Sequence, residues 1–144
     1  MVKIRQISVF AENKPGKIAK VMKILADSGI DIRAISVADS LEFGNLRIIC
    51  SGVNKALDAL KNAGCVAKVN HVTAVSVPDV AGALSSLLCI LSEAGVGLSY
   101  MYSLYSRKTR DAYMILKTDN SEEIDNLLFR NGYDLVSEHD LDII

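Results

Sequence analysis

Asn13-Lys14-Pro15-Gly16-Lys17-Ile18 and, 66 positions later, Asp79-Val80-Ala81-Gly82-Ala83-Leu84 are the two stretches that decide how this chain is read. Each stands between an alternating apolar run and an apolar run of helical spacing. Upstream, Ile7 and Val9 alternate with polar neighbours, which predicts a strand. Downstream, Ile18, Val21, Met22 and Leu25 recur at i, i+3, i+4 and i+7, one face of a helix. Lys17, Lys20, Lys23 and Asp27 take its opposite face. The same offset superimposes Gly29 on Gly95, and Ile18, Val21, Met22 and Leu25 on Leu84, Leu87, Leu88 and Leu91. The chain is therefore an internal repeat.

Each copy reads strand, helix, strand, strand, helix, strand. Gly29 and Gly95 are the expected helix stops. In the second strand the apolar phase slips between Ile32 and Ile35, and it slips in the same way between Leu98 and Met101. A slip shared by both copies predicts a bulge or bend. Gly44-Asn45 belongs to a hairpin, Lys55–Ala63 to a short helix, and Val66–Asn70 to a closing strand. Late in the repeat the offset grows to 68, pairing Gly64 with Gly132 and His71 with His139. Both histidines are expected at the ends of closing strands. The fold class that follows is α+β: two tandem ferredoxin-like βαββαβ sandwiches, antiparallel sheets with helices on one face. The expected domains are residues 1–70 and 71–144, joined without a linker.

Composition narrows the class further. Half of the 144 residues are hydrophobic, 23% are charged, and only nine glycines and two prolines are present. That balance excludes a disordered or collagen-like chain. The longest apolar runs, such as Leu87–Leu91, fall far short of the ~20 residues of a membrane span. Met1–Arg5 leads directly into a strand pattern without a signal-peptide core, so a cytoplasmic setting is expected. Cys50, Cys65 and Cys89 are odd in number and lack paired spacing, and they are read as small core residues in a reducing compartment. The net charge of −1 conceals a split: residues 1–71 carry 11 Lys/Arg against 6 Asp/Glu, and residues 72–144 carry 5 against 11. Such a split fits a nucleic-acid face, or two modules matched against each other or against a second copy.

Chemistry-bearing motifs are sparse. No GxSxG, GxxxxGK[ST], HExxH or GxGxxG is present. Neither histidine has a partner at metal-ligand spacing. The third strands, Gly44–Cys50 and Asp111–Leu116, offer only Tyr113 as a stacking residue, which disfavours an RNA-binding module. The strand–helix turns remain: a glycine admits close backbone approach, and a helix start offers amide donors to a carboxylate or phosphate. Asn13 and Asp79 carry oxygens that could cap the helix or meet an ammonium group. A plain capped turn without a ligand explains the same residues. Tyr100 and Tyr102 alternate along one strand face, as sheet or interface residues do.

The pattern Val9-x-Ala11-x-Asn13-x-Pro15-Gly16-x-Ile18, with Leu25 and Ser28-Gly29-Ile30-Asp31-Ile32, resembles the start of an ACT domain. Val75-x-Val77-x-Asp79-x-x-Gly82-x-Leu84, with Glu93-Ala94-Gly95-Val96-Gly97-Leu98, is similar; Ala81 stands where the family has its usual proline. The resemblance covers essentially the whole chain as two domains. It implies a small regulatory module that binds a free amino acid, without catalysis and without a cofactor. It further implies ligand contacts from Asn13, Pro15, Gly16, Lys17 and Ile18 in one turn and Asp79, Ala81, Gly82, Ala83 and Leu84 in the other. Ser36, Val37 and Ala38, and Tyr102, Ser103 and Leu104, would contribute from the second strands. The implied partners are an amino-acid effector, a second copy in a homodimer and a metabolic enzyme. A purely structural interaction subunit is the alternative.

Overall fold

The computed structural model describes residues 2–12, 14–39 and 43–144. The chain divides into two compact units, Arg5–His71 with Asp142–Ile144, and Val72–Leu141 with the N-terminal residues up to Ile4. Each end of the chain thus belongs to the unit built by the opposite half. The first unit contains β1 (Ile4–Glu12), α1 (Lys17–Asp27), β2 (Ile32–Asp39), β3 (Phe43–Cys50), α2 (Val53–Asn62) and the start of β4 (Val66–Val77). The second contains the rest of β4, α3 (Ala83–Glu93), β5 (Leu98–Tyr105), β6 (Ala112–Thr118) and α4 (Ser121–Arg130). Strand order is β2-β3-β1-β4 in the first and β4-β6-β5 in the second. Among the described residues, no helix is long and apolar enough to cross a membrane.

The repeat is visible in what each unit buries. Val9, Val21 and Leu25 sit in the first core with Leu46, Ile48 and Leu60. Their counterparts Val75, Leu87 and Leu91 sit in the second with Met114, Leu116, Ile124 and Leu128. Ile18 and Leu84, expected on the buried helix faces, are exposed instead, because the first helical turn precedes the part that meets the sheet. Gly29 ends α1 with φ 71°. Its N–H donates to the Ala26 carbonyl at 3.0 Å while that of Ile30 reaches Leu25. Gly95, φ 70°, repeats the arrangement, with its N–H on Ser92 and that of Val96 on Leu91. Register shifts fall between Ile32 and Ala34 and between Leu98 and Tyr100, where the apolar phase slips in the sequence.

Two expectations are corrected by the backbone. The closing strand of the first copy and the opening strand of the second are one continuous strand, β4, so His71 lies within a strand rather than at its end. The closing strand of the second copy is reduced to a single bridge, Val75 with Leu135. Beyond it the Asp140 carboxylate accepts from both the N–H and the hydroxyl of Ser137 at 2.8 Å. That local capture competes with extension, and His139 lies in the resulting turn. The same two bonds hold the Asp140 carboxyl below its usual range. Of the three cysteines only Cys50 is buried; Cys89 is exposed on the outer face of α3. Burial pushes the Cys50 thiol up to about 11, which makes it an inert core residue.

Gly16 and Gly82 open α1 and α3 in the left-handed conformation, with φ 84° and 86°. A Cβ added at Gly82 meets nothing within 4 Å, so only backbone strain opposes a side chain there. Gly82→Ala is therefore expected to cost about 1 kcal/mol in urea unfolding. A neutral or stabilising result would show that the turn relaxes out of this conformation.

Candidate functional site

The two strand–helix turns are built alike. Lys14 N–H donates to Glu12 at 2.9 Å and Lys17 N–H to Lys14 at 3.2 Å; Val80 donates to Pro78 and Ala83 to Val80 at the same distances. Among the described residues, no side chain caps either helix. Asp79 is therefore not the helix cap that its position allows. Asn13 lies outside the described residues. The middle amide of each turn, Lys17 or Ala83, is already used within the turn, which leaves fewer donors for a carboxylate than the sequence suggests.

Asp79 instead lines a cleft of ≈ 250 Å³ with Ser103, Leu104, Arg110, Asp111 and Ala112. Three of the expected site residues, Asp79, Ser103 and Leu104, thus come together in the second unit. Tyr102, next along β5, does not line the cleft and stacks on Tyr100 with ring centroids 6.4 Å apart. Ala81, Gly82 and Leu84 are exposed at the turn. Arg110 and Asp111 were missing from the sequence expectations. They belong to the hairpin that joins β5 to β6, whose register sets Leu104 against Tyr113 and Ser103 against Met114. The Arg107–Asp111 charge run follows directly on the end of β5, and that is the sequence signal that points to them. The hairpin is ordered by its own bonds: Thr109 N–H donates to the Ser106 hydroxyl at 2.9 Å, and Asp111 N–H to the Thr109 hydroxyl at 3.2 Å. Ser76 donates to Asp111 at 3.3 Å.

A second kind of cleft occurs once in each unit, between the strand end, the helix start and the turn at Gly64 or Gly132. In the first unit it measures ≈ 280 Å³ and is lined by Phe10, Glu12, Lys17, Lys20, Cys65 and Val66 among others. In the second it measures ≈ 390 Å³ and presents Ser76, Ala83, Ser86, Asp111, Tyr133 and Asp134. Duplication kept the place and changed the chemistry, from basic and apolar to acidic and hydroxylic. Lys17 is the expected site residue that the first-unit cleft takes; Ser36, Val37 and Ala38 lie on the outer strand β2, and Pro15, Gly16 and Ile18 are exposed.

Each unit thus carries a charged cleft beside its strand–helix turn. The chain belongs to the ACT domain pair family, whose pattern matches residues 2–144. This is a regulatory family whose members typically bind amino acids. Among solved structures, the chain is similar to protein BT0572 from Bacteroides thetaiotaomicron, at 33% identity and TM-score 0.88, covering 97% of this chain and 96% of that one. It shares its fold with the ligand-free regulatory subunit of aspartate kinase from Thermus thermophilus, at 14% identity and TM-score 0.64, covering 91% and 94%. The corresponding subunit from Thermus flavus gives 16% identity and TM-score 0.62, covering 90% and 93%. No curated protein sequence matches the chain.

Proposed function

We propose that this chain is a non-enzymatic regulatory protein made of two ACT domains, residues 1–70 and 71–144, that binds a free amino acid at its second strand–helix turn. The observation that carries the reading is a cleft of ≈ 250 Å³ holding both signs of charge, Arg110 with Asp79 and Asp111. A zwitterion needs both. The guanidinium takes the α-carboxylate in a two-pronged bond, and an aspartate takes the α-ammonium. Ser103 adds a hydroxyl and Leu104 an apolar wall; Ala81, Gly82, Ala83, Leu84 and Tyr102 frame the approach. The first-copy residues Pro15, Gly16, Lys17, Ile18, Ser36, Val37 and Ala38 form the weaker counterpart, because Glu12, the acid of the cleft that Lys17 lines, is paired with Lys14 at 3.3 Å.

Bound ligand must favour one arrangement of the protein over another if it is to regulate anything. Output passes through assembly as a homodimer and contact with a metabolic enzyme. The same reading places the chain in the cytoplasm, where its free thiols persist. Isothermal titration with each of the twenty amino acids tests the proposal. Saturable heat from one or a few is expected; silence from all of them at millimolar concentration would overturn it.

A further inference from the structure

The basic cleft of the first unit has features that amino-acid binding does not use. Phe10 is 52% exposed and Val66 70% exposed. Both line this cleft and also a neighbouring one of ≈ 250 Å³ formed with Ser8, Asn45, Ala67 and Lys68. The result is an apolar ridge between two hollows, rimmed by the ammonium groups of Lys17, Lys20 and Lys68. On α4 of the other unit, Phe129 is 75% exposed. Asn126 and Glu122 are also exposed and share its helix face, with Glu122 two turns and about 10 Å away. Glu123 stands beside Glu122, and Arg130 beside Phe129.

We propose that the cleft lined by Phe10, Lys20 and Val66 receives helix α4 of a second copy, with Phe129 seated against Phe10 and Val66. This deepens the assembly reading above by naming the two surfaces. A phenyl ring buries on the order of 150–250 Å², and a hollow of ≈ 280 Å³ accommodates it. The charges match on both sides of the ring. Glu122 and Glu123 face the lysines, and Arg130 faces Glu12, which pairs with Lys14 at 3.3 Å. The excess of Lys/Arg in residues 1–71 and of Asp/Glu in residues 72–144 favours this head-to-tail contact over one between like halves. The contact joins unlike patches, and in a two-fold homodimer it forms twice, each copy supplying the ring to one contact and the hollow to the other.

That asymmetry provides the test. Sedimentation velocity on the full chain is expected to show salt-sensitive association. Phe129→Gln removes the ring and Lys20→Glu/Val66→Glu spoils the hollow; each is expected to raise the dissociation constant about tenfold or more. Mixing the two variants should restore association, because one retains an intact hollow and the other an intact ring. Far-UV circular dichroism spectra like the wild type's and cooperative melting would confirm that both variants fold. A wild-type chain that stays monomeric at about 100-micromolar concentration, where even a weak specific contact is populated, would overturn both this interface and the dimer reading. Variants that associate like wild type, or a mixture that remains dissociated, would overturn the interface and leave the dimer reading standing.

Discussion

Lys3→Met is expected to lower the unfolding free energy by about 3 kcal/mol, a large loss for a residue so near the chain end. The Lys3 ammonium donates to the Thr73 hydroxyl at 2.6 Å, the Ser121 carbonyl at 2.7 Å and the Asp125 carboxylate at 2.8 Å. Thr73 donates in turn to the same carboxylate oxygen at 2.7 Å. Asp125 is 2% exposed and Lys3 15%. The second carboxylate oxygen of Asp125 has no hydrogen-bond partner among the described residues. Removing the ammonium therefore strands a buried anion, the costly way to break such a pair. Asp125→Asn keeps a hydrogen-bond acceptor in place and should cost only about 1 kcal/mol. Urea unfolding of both variants checks the order. Equal losses, or a Lys3→Met loss below that of Asp125→Asn, would show that the pair is not what ties the N-terminus to the second unit.

Arg110→Ala should weaken amino-acid binding by about tenfold to a hundredfold, since a hydrogen bond to a charged group is worth about 1.5–3 kcal/mol. Arg110→Lys should recover only part of the loss, because a point charge cannot make the two parallel bonds of a guanidinium. Asp79→Asn should weaken binding less than Arg110→Ala, as its side-chain carbonyl still accepts from an ammonium group. Titration of the three variants with whichever amino acid binds the wild type measures all of this. Arg110→Ala binding as tightly as wild type would move the carboxylate partner back to the turn amides.

The architecture was legible because the repeat writes it twice. Val9 with Val75, Val21 with Leu87 and Leu25 with Leu91 occupy matching core positions, and Gly16 with Gly82 matching left-handed turns. The bulges in β2 and β5 were legible for the same reason: a phase slip seen twice is not noise. What escaped was set by contacts without periodicity. Lys3 and Asp125 lie 122 positions apart and belong to no motif. The closing strand of the second copy lost to a turn whose decisive residues, Ser137 and Asp140, hydrogen-bond locally. Arg110 and Asp111 escaped because their relevance depends on where a hairpin turns, which motif spacing does not encode. Of the residues expected at the second turn, Asp79 lines a cleft with Ser103 and Leu104, and the charged side chains that accompany them, Arg110 and Asp111, come from the hairpin.

The claim at the centre is that the second turn holds an amino acid between Asp79 and Arg110. The most direct measurement is a crystal structure of the full chain grown with the amino acid that gives heat in titration. Density for that molecule in the cleft, its carboxylate on Arg110 and its ammonium on Asp79 or Asp111, is the predicted result. Density at another place, with the cleft at Asp79 empty, would contradict it.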